Sequence, residues 1–407
     1  MGHSNPAHEH PSDLPSESVV GASPELTFLF PCLNEEITLA TCIRKVRTCL
    51  ETAGVCHEII VADNGSTDRS REIATALGCR VVPVSEKGYG AALRAGIDAA
   101  AAPYVMFADS DDTYLYEHAG ALYSTAKQEA AGMAIASRMI GVIEPGSMPF
   151  LHKHLGTPVL TTLINVLFRG RLTDCNSGFR CVRREEYLRW GIRSSGMEFA
   201  SELLIKALKA ETKIVEIPSG LKCGPPERQA HLRTWRDGMR HLLFILSEKP
   251  AVFEKTGIFL TILATLLQAC AAILGPMSVA GLHIFDLHSQ SLFLIAGVIG
   301  AQFYIFACSL YLVSPDRPQS LTRRLIHLDE GVLFFCLLGT LAACGVTVGA
   351  LVWFWAASGF RGLHQANQLI AAAHFLGLAF IGALGLLSIH TLKKARRTVA
   401  QSVPPSA

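Results

Sequence analysis

The stretch "PYVMFADSDDTY" (residues 103–114) sets three carboxylates, Asp109, Asp111 and Asp112, directly behind a short apolar run that reads as the end of a buried strand. Like charges this close repel and raise one another's pKa, so the arrangement is costly without a cation or hydrogen-bond donors. A divalent metal is the first candidate. Upstream, "LTFLF" leads toward a helix near Glu36, "EIIVA" (58–62) toward one near Ser66, and "RVVPV" through "KGYG" into a helix over 91–101. Strands alternating with helices predict right-handed βαβ units and an α/β fold with a mostly parallel sheet.

In such sheets ligands collect at the carboxyl ends of the strands. Three polar segments fall there: "PCLNEE" (31–36), "DNGSTD" (63–68) and "DSDD" (109–112). Alone, each has a plain structural explanation. Ser66-Thr67-Asp68 suits a helix cap and Asn64-Gly65 an ordinary turn. Three in register at neighbouring strand ends instead predict one ligand crevice. "KGYGAALRAG" (87–96) has Leu93 where a G-x-G-x-x-G fingerprint needs its third glycine, so its glycines are expected to allow a turn and close approach to a nucleotide.

The 407 residues divide by composition. Half are apolar and the mean hydropathy is +0.33, but the excess is concentrated beyond residue 250. Four apolar stretches, 257–279, 292–313, 331–355 and 369–389, each reach the roughly 20 residues that cross a hydrocarbon core. Arg317, Arg323 and Arg324, then Lys393, Lys394, Arg396 and Arg397, lie in the segments after the second and fourth, whereas 276–291 has no Lys or Arg. By the positive-inside rule the large N-terminal domain and both termini are expected in the cytoplasm of an integral membrane protein of the cell inner membrane or its equivalent.

The predicted domains are a disordered tail (1–24), an α/β domain (25–227), an interfacial amphipathic helix (228–250), a four-span domain (251–392) and a basic tail (393–407). The first tail has no apolar signal-peptide core, and its His3, His8 and His10 read as solvated. The bridging helix rests on Leu232, Trp235, Met239, Leu242, Leu243 and Leu246 at helical spacing beside Arg233, Arg236 and Arg240. Twelve cysteines without paired C-x-x-C spacing read as reduced core or membrane residues. Among the spans, Gly345 and Gly349 suit close helix packing, and Gln268, Gln302 and His374 suit either a polar path or, more simply, interhelical hydrogen bonds.

"FPCLNEE", "VADNGSTD", "KGYGAALRAG", "FADSDDTY", "ASRMIG" and "TDCNSGFR" occur in an order and spacing that resembles glycosyltransferase family 2, specifically the polyprenyl-phosphate sugar transferases that include dolichyl-phosphate mannose synthase. The resemblance covers about residues 26–247 and implies a GT-A nucleotide-sugar-binding fold. It implies that Pro31, Leu33 and Glu35 line the nucleobase and ribose pocket, that Asp63 bonds the base, and that Asp109-Ser110-Asp111 is a D-x-D motif. In that motif Asp109 and Asp111 hold Mg2+ or Mn2+, while Ser110 contributes to nucleotide binding.

Arg138 and Arg180 are implied to approach phosphate or sugar. Arg228, His231 and Arg233 stand where relatives carry R-x-x-S-K-L-R, with Ala230 and His231 replacing the Ser-Lys pair. Asp111 and Glu198 are the catalytic candidates, and Glu202 reads as a helix-surface residue. A lipid monophosphate is already anionic at neutral pH, so positioning groups matter more than a strong base.

The expected activity is inverting transfer of a hexose from a nucleotide sugar to polyprenyl phosphate. The expected partners are those two substrates and the membrane, with no nucleic acid and with homo-oligomerisation left open. One alternative is a processive polysaccharide or glycolipid synthase, for which "EYLRW" (186–190) is a near match to Q-x-x-R-W. A membrane transporter or scaffold carrying an inactive nucleotide-sugar fold is the other.

Overall fold

The computed structural model describes residues 23–226, 234–279, 282–314, 316–359 and 366–402. The chain separates into two compact units, residues 1–245 and 246–407. Most of the predicted first tail, together with Arg228, His231 and Arg233, lies outside the described residues.

The first unit contains β1 (Leu26–Cys32), α1 (Leu39–Thr52), β2 (His57–Asp63), α2 (Ser70–Ala76), β3 (Arg80–Pro83), α3 (Tyr89–Ala99) and β4 (Tyr104–Phe107). There follow α4 (Ala119–Gln128), β5 (Met133–Ile143), α5 (Thr157–Phe168), β6 (Arg180–Arg183), α6 (Arg184–Trp190), α7 (Phe199–Lys209), β7 (Ile214–Leu221) and α8 (Thr234–Ser247). The strands form one sheet in the order β3-β2-β1-β4-β6-β5-β7. Pairing is parallel except on the two sides of β6, which runs antiparallel to β4 and β5.

β1 sits centrally and is buried along its whole length, as a strand covered by helices on both faces must be. One apolar layer joins Leu29, Ile60 and Phe107 to α3, α5 and α7. The other joins Phe28, Phe30 and Met106 to α1 and α4. This is the expected α/β, mostly parallel GT-A-like architecture.

Two helices start later than the sequence pattern suggests. α1 begins at Leu39 and α2 at Ser70, because residues 34–36 and 64–69 bond across to one another instead of entering helix. Asn34 N donates to Ser66 Oγ (3.0 Å), Glu35 N to Ser70 Oγ (2.9 Å), Glu36 N to Asp68 Oδ2 (3.0 Å), and Thr67 N to Asn34 Oδ1 (2.8 Å).

The second unit contains α9 (Pro250–Leu274), a hairpin of β8 (Met277–Val279) and β9 (Leu282–Ile284), α10 (Leu287–Val313), α11 (Ser320–Ile326), α12 (Glu330–Ala357) and α13 (Ala366–Ser402). α9, α10, α12 and α13 each contain a stretch long and apolar enough to cross a membrane. α9 stops before Gly275, whose φ of +69° breaks the helix.

Gln268 donates to Gln290 (3.0 Å) and His374 bonds Thr265 (3.2 Å), both between helices, while Gln302 is exposed. Glu254 is buried and accepts from Tyr311 (2.7 Å) and Thr322. The close packing expected at Gly345 and Gly349 is not found within the described chain: a Cβ on either would meet nothing within 4 Å.

Candidate active site

Register alone brings the acids together. Cys32 pairs with Asp63 across β1 and β2, and Leu29 with Phe107 across β1 and β4, so "DNGSTD" and "DSDD" leave the sheet on either side of Pro31-Cys32. Side chains then tie the ends. Ser110 Oγ donates to Pro31 O (2.9 Å), and Thr38 Oγ1 donates to Ser110 O (2.6 Å) and lies 3.2 Å from Glu35 Oε2. Pro31, Glu35, Asp63 and Ser110 are therefore buried wall residues, whereas Leu33 is 38 % exposed at the rim.

Asp63 accepts from Gly65 N (3.3 Å), Ser66 N (3.0 Å) and the Arg71 guanidinium (2.8 Å). Each carboxylate oxygen has two lone pairs, so acceptor capacity remains.

The three acids of "DSDD" have different fates. Asp112, with a left-handed φ of +56°, turns away to Lys45 (2.8 Å) and Lys222 (3.0 Å), which neutralise it. Asp111 Oδ1 accepts from Thr113 N (3.1 Å) and Thr113 Oγ1 (2.6 Å). Asp109 is held by its backbone, with Tyr116 donating to its carbonyl, and Tyr89 bonds its side chain. Burial, and then the Asp109 charge, push the Tyr89 hydroxyl well above its usual pKa, so it remains a donor.

Gly178 lets the "NSG" turn approach the same place. A Cβ there would lie 3.0 Å from both Asp109 Oδ2 and Tyr114 Oη, and Gly178 N donates to Tyr114 Oη (2.6 Å).

Among the described residues no three or more His, Cys, Asp or Glu side chains gather into a metal cage. Two hard carboxylates on one strand end still suit Mg2+ or Mn2+, since such ions keep waters and take further ligands from substrate phosphates. Asp109 and Asp111 would hold such an ion.

Arg138 lies where β5 loses register with β7, between Ser137 and Val142. It makes a bidentate pair with Asp174 (2.7 and 2.9 Å). Burial alone would lower the guanidinium pKa, but the Asp174 charge outweighs it and holds Arg138 protonated. Asp174 is held below the usual carboxylate range by the same pair, against its burial.

Arg180 pairs in register with Phe107 and is 1 % exposed. It donates to the carbonyls of Ser177 (2.8 Å), Ala200 (3.0 Å) and Cys175 (2.8 Å), so contact with a phosphate would require those bonds to be exchanged.

Glu198 occupies the position before α7, but its side chain makes no capping hydrogen bond to that helix. Its Oε1 accepts from Gly196 N (3.2 Å), while Oε2 is buried with no hydrogen-bond partner among the described residues. Glu202 corrects the expectation of a surface residue: it is 3 % exposed and accepts from Arg193 N (3.0 Å) and Ser194 N (2.7 Å). Those bonds fix the loop that carries Glu198. The glycines of "KGYG" serve this loop as well. Gly88, at φ +135°, lies so close to Ser195 O that a Cβ could not fit, and Ala91 N donates to Ser195 O (3.1 Å).

Sequence reasoning missed Lys45, Lys222, Asp174 and His241. Only Asp174 had a signal, as the acid in "TDCNSGFR". His241 of α8 is buried, bonds Ser201 (2.7 Å) and lies near Glu198, Asp237 and Arg180. Burial is the main cause of its pKa falling to about 4.

The glycosyl transferase family 2 profile matches residues 27–189. The chain is 34 % identical over 370 residues to the low-salt glycan biosynthesis hexosyltransferase Agl6 of Haloferax volcanii, covering 88 % of this chain and 87 % of the relative. It is 30 % identical over 161 residues to the dolichyl-phosphate hexose transferase of the same organism, covering 39 % and 68 %. Glucosyl-3-phosphoglycerate synthase from Mycobacterium tuberculosis, solved with Mn2+, UDP and phosphoglyceric acid, aligns with a TM-score of 0.45 at 21 % identity, covering 55 % of this chain and 78 % of that one. With its D-x-D strand end, and a relative matched along nearly its whole length, this chain belongs to glycosyl transferase family 2.

Proposed function

We propose that this glycosyltransferase moves a hexose, with inversion, from a nucleotide sugar to polyprenyl phosphate at the cytoplasmic membrane surface. The observation that carries this reading is the strand end "DSDD": Lys45 and Lys222 neutralise Asp112, and Asp109 and Asp111 stand beside it as hard carboxylates of the kind that suit a divalent cation. The names of the two Haloferax relatives support hexose transfer, and the second name supports a polyprenyl-phosphate acceptor. α9, α10, α12 and α13 support a membrane location.

In this reading Leu33, Glu35 and Asp63 bind the nucleobase and ribose, and Ser110 holds the strand ends at the spacing this needs. When bound, the divalent cation supplies charge neutralisation for the departing diphosphate. Arg138, kept protonated by Asp174, orients phosphate. Glu198 Oε2 accepts from a sugar hydroxyl or orients the acceptor. The lipid phosphate arrives already anionic, so these groups position it without a strong base. Arg228, His231 and Arg233 would add to acceptor binding, and His231→Lys is expected to keep or raise activity. The polysaccharide-synthase alternative is weakened because Tyr187 and Trp190 of "EYLRW" are core residues and Arg189 pairs with Glu185 at the surface.

Membranes containing the chain, incubated with labelled nucleotide sugars, should place label in a lipid that mild acid releases. Chelator should abolish this, and Mn2+ or Mg2+ should restore it. Label in an acid-stable polymer, or full incorporation in chelator, would overturn the proposal.

A further inference from the structure

Glu198 stands just before α7, and the first turn of that helix fixes its backbone. Its carbonyl accepts from Ser201 N (3.1 Å) and Glu202 N (2.9 Å), so whatever holds residues 200–202 also holds Glu198. Each of those three residues is tied to something outside the helix. Arg180 of β6 donates to Ala200 O (3.0 Å), and the Glu202 carboxylate accepts from Arg193 N (3.0 Å) and Ser194 N (2.7 Å). Ser201 is buried, and its hydroxyl bonds His241 Nδ1 (2.7 Å).

His241 comes from α8, where Asp237, His241 and Ile245 recur at every fourth residue and are all buried. Ile245 lies in the apolar layer that contains Phe199 and Leu203 of α7. Apolar contact has no direction, so the hydrogen bond to Ser201 is what fixes the register of α8 on the first turn of α7.

The kind of side chain matters as much as its reach. Burial is the main influence on the imidazole and keeps it neutral near pH 7, although the charges of Glu198 and Asp237 favour the protonated ring and that of Arg180 opposes it. A neutral partner anchors Ser201 without forming an ion pair with Glu198. Asp112 shows the other outcome, since Lys45 and Lys222 reach it and neutralise it. Glu198 Oε2 is buried with no hydrogen-bond partner among the described residues, a costly state unless a substrate group fills it.

We propose that His241 is a positioning residue for the transfer reaction: by holding Ser201 it sets the first turn of α7 so that Glu198 Oε2 meets the sugar or acceptor group. The proposal rests on the role given to Glu198 under the transferase reading.

The test uses the full chain in lipid nanodiscs. His241→Leu fills the space without a hydrogen bond, whereas His241→Asn puts an amide where Nδ1 stands. His241→Leu should lower kcat by on the order of tenfold while KM for the nucleotide sugar stays within about twofold, and His241→Asn should restore most of the loss. Ser201→Ala removes the other end of the bond and should lower kcat by a similar factor. Adding His241→Leu to it should cost little more, because both remove one interaction. If His241→Leu does not fold, Ser201→Ala against the unaltered chain reads the same bond. In the absence of any substrate, amide exchange at residues 201 and 202 should quicken severalfold in both variants. Unchanged kcat, a loss confined to KM, additive effects of the two substitutions, or no rescue by His241→Asn overturns the proposal. Unchanged amide exchange does so as well. That measurement needs neither sugar nor acceptor, so the anchoring by His241 and the assigned reaction can fail separately.

Discussion

At the scale of single residues, the three acids behind β4 differ in what they pair with: Asp112 with two lysines, Asp111 with Thr113 and Asp109 with Tyr89. Asp111→Asn should lower turnover by on the order of 10²-fold or more without unfolding the protein, and should shift the Mn2+ dependence. Asp112→Asn should instead leave the Mn2+ dependence in place. Its cost is roughly 1–2 kcal/mol of stability, because Lys45 and Lys222 lose a half-buried partner. Equal metal dependence in both variants would count against the assignment. Asp174→Asn should be more damaging, by about 3 kcal/mol, since it leaves the Arg138 cation nearly buried and unbalanced. A thermal unfolding midpoint in detergent measures this directly, and Asp174→Glu should recover part of the loss.

The acid triplet was legible because adjacent like charges behind a strand need compensation wherever they occur. The answer for Asp112 was not legible, since Lys45 and Lys222 lie 67 and 110 residues away in sequence.

At the scale of elements, the loop before α7 depends on contacts made by others. Glu202 holds its backbone from one side and the Gly88–Ala91 segment meets it from the other. Gly88→Ala should cost about 1–3 kcal/mol, from the positive φ and the overlap with Ser195 O together. It should also reduce turnover by displacing Glu198. A variant with unchanged stability and turnover would show that this contact is dispensable.

These glycines were expected to allow a turn and close approach to a nucleotide; what Gly88 and Gly90 meet in the structure is the backbone of residues 194–196. Glycine spacing announces close approach without naming what approaches. Glu202 was misjudged for a related reason: helical periodicity says which residues share a face, and a loop that folds back can bury a face that looks solvated.

At the scale of the whole molecule, pH acts through His241. Its folded pKa of about 4 lies below the unfolded value of 6.5, so between these pH values the unfolded chain binds more protons than the folded one. The contribution is present in full above pH 6.5 and is lost progressively as pH falls toward 4. It amounts to at most on the order of 3 kcal/mol. Glu198, Asp237, Arg180 and Ser201 surround the ring. Replacing it by His241→Gln should flatten the pH dependence of the unfolding midpoint across this window. A parallel pair of curves for the two proteins would show that another group is responsible.

The alternation of strand and helix, the apolar stretches of spanning length and the polar ends behind three strands are local patterns. The sequence by itself determined them, because periodicity and burial of backbone hydrogen bonds act within a dozen residues. What only the tertiary structure decided is how the charges pair. Register places Asp63 beside Cys32, two distant lysines remove Asp112 from the site, and Asp174 keeps Arg138 charged. Electrostatic pairing depends on distance in space, and distance across 67 or 110 residues exists only once the sheet has formed.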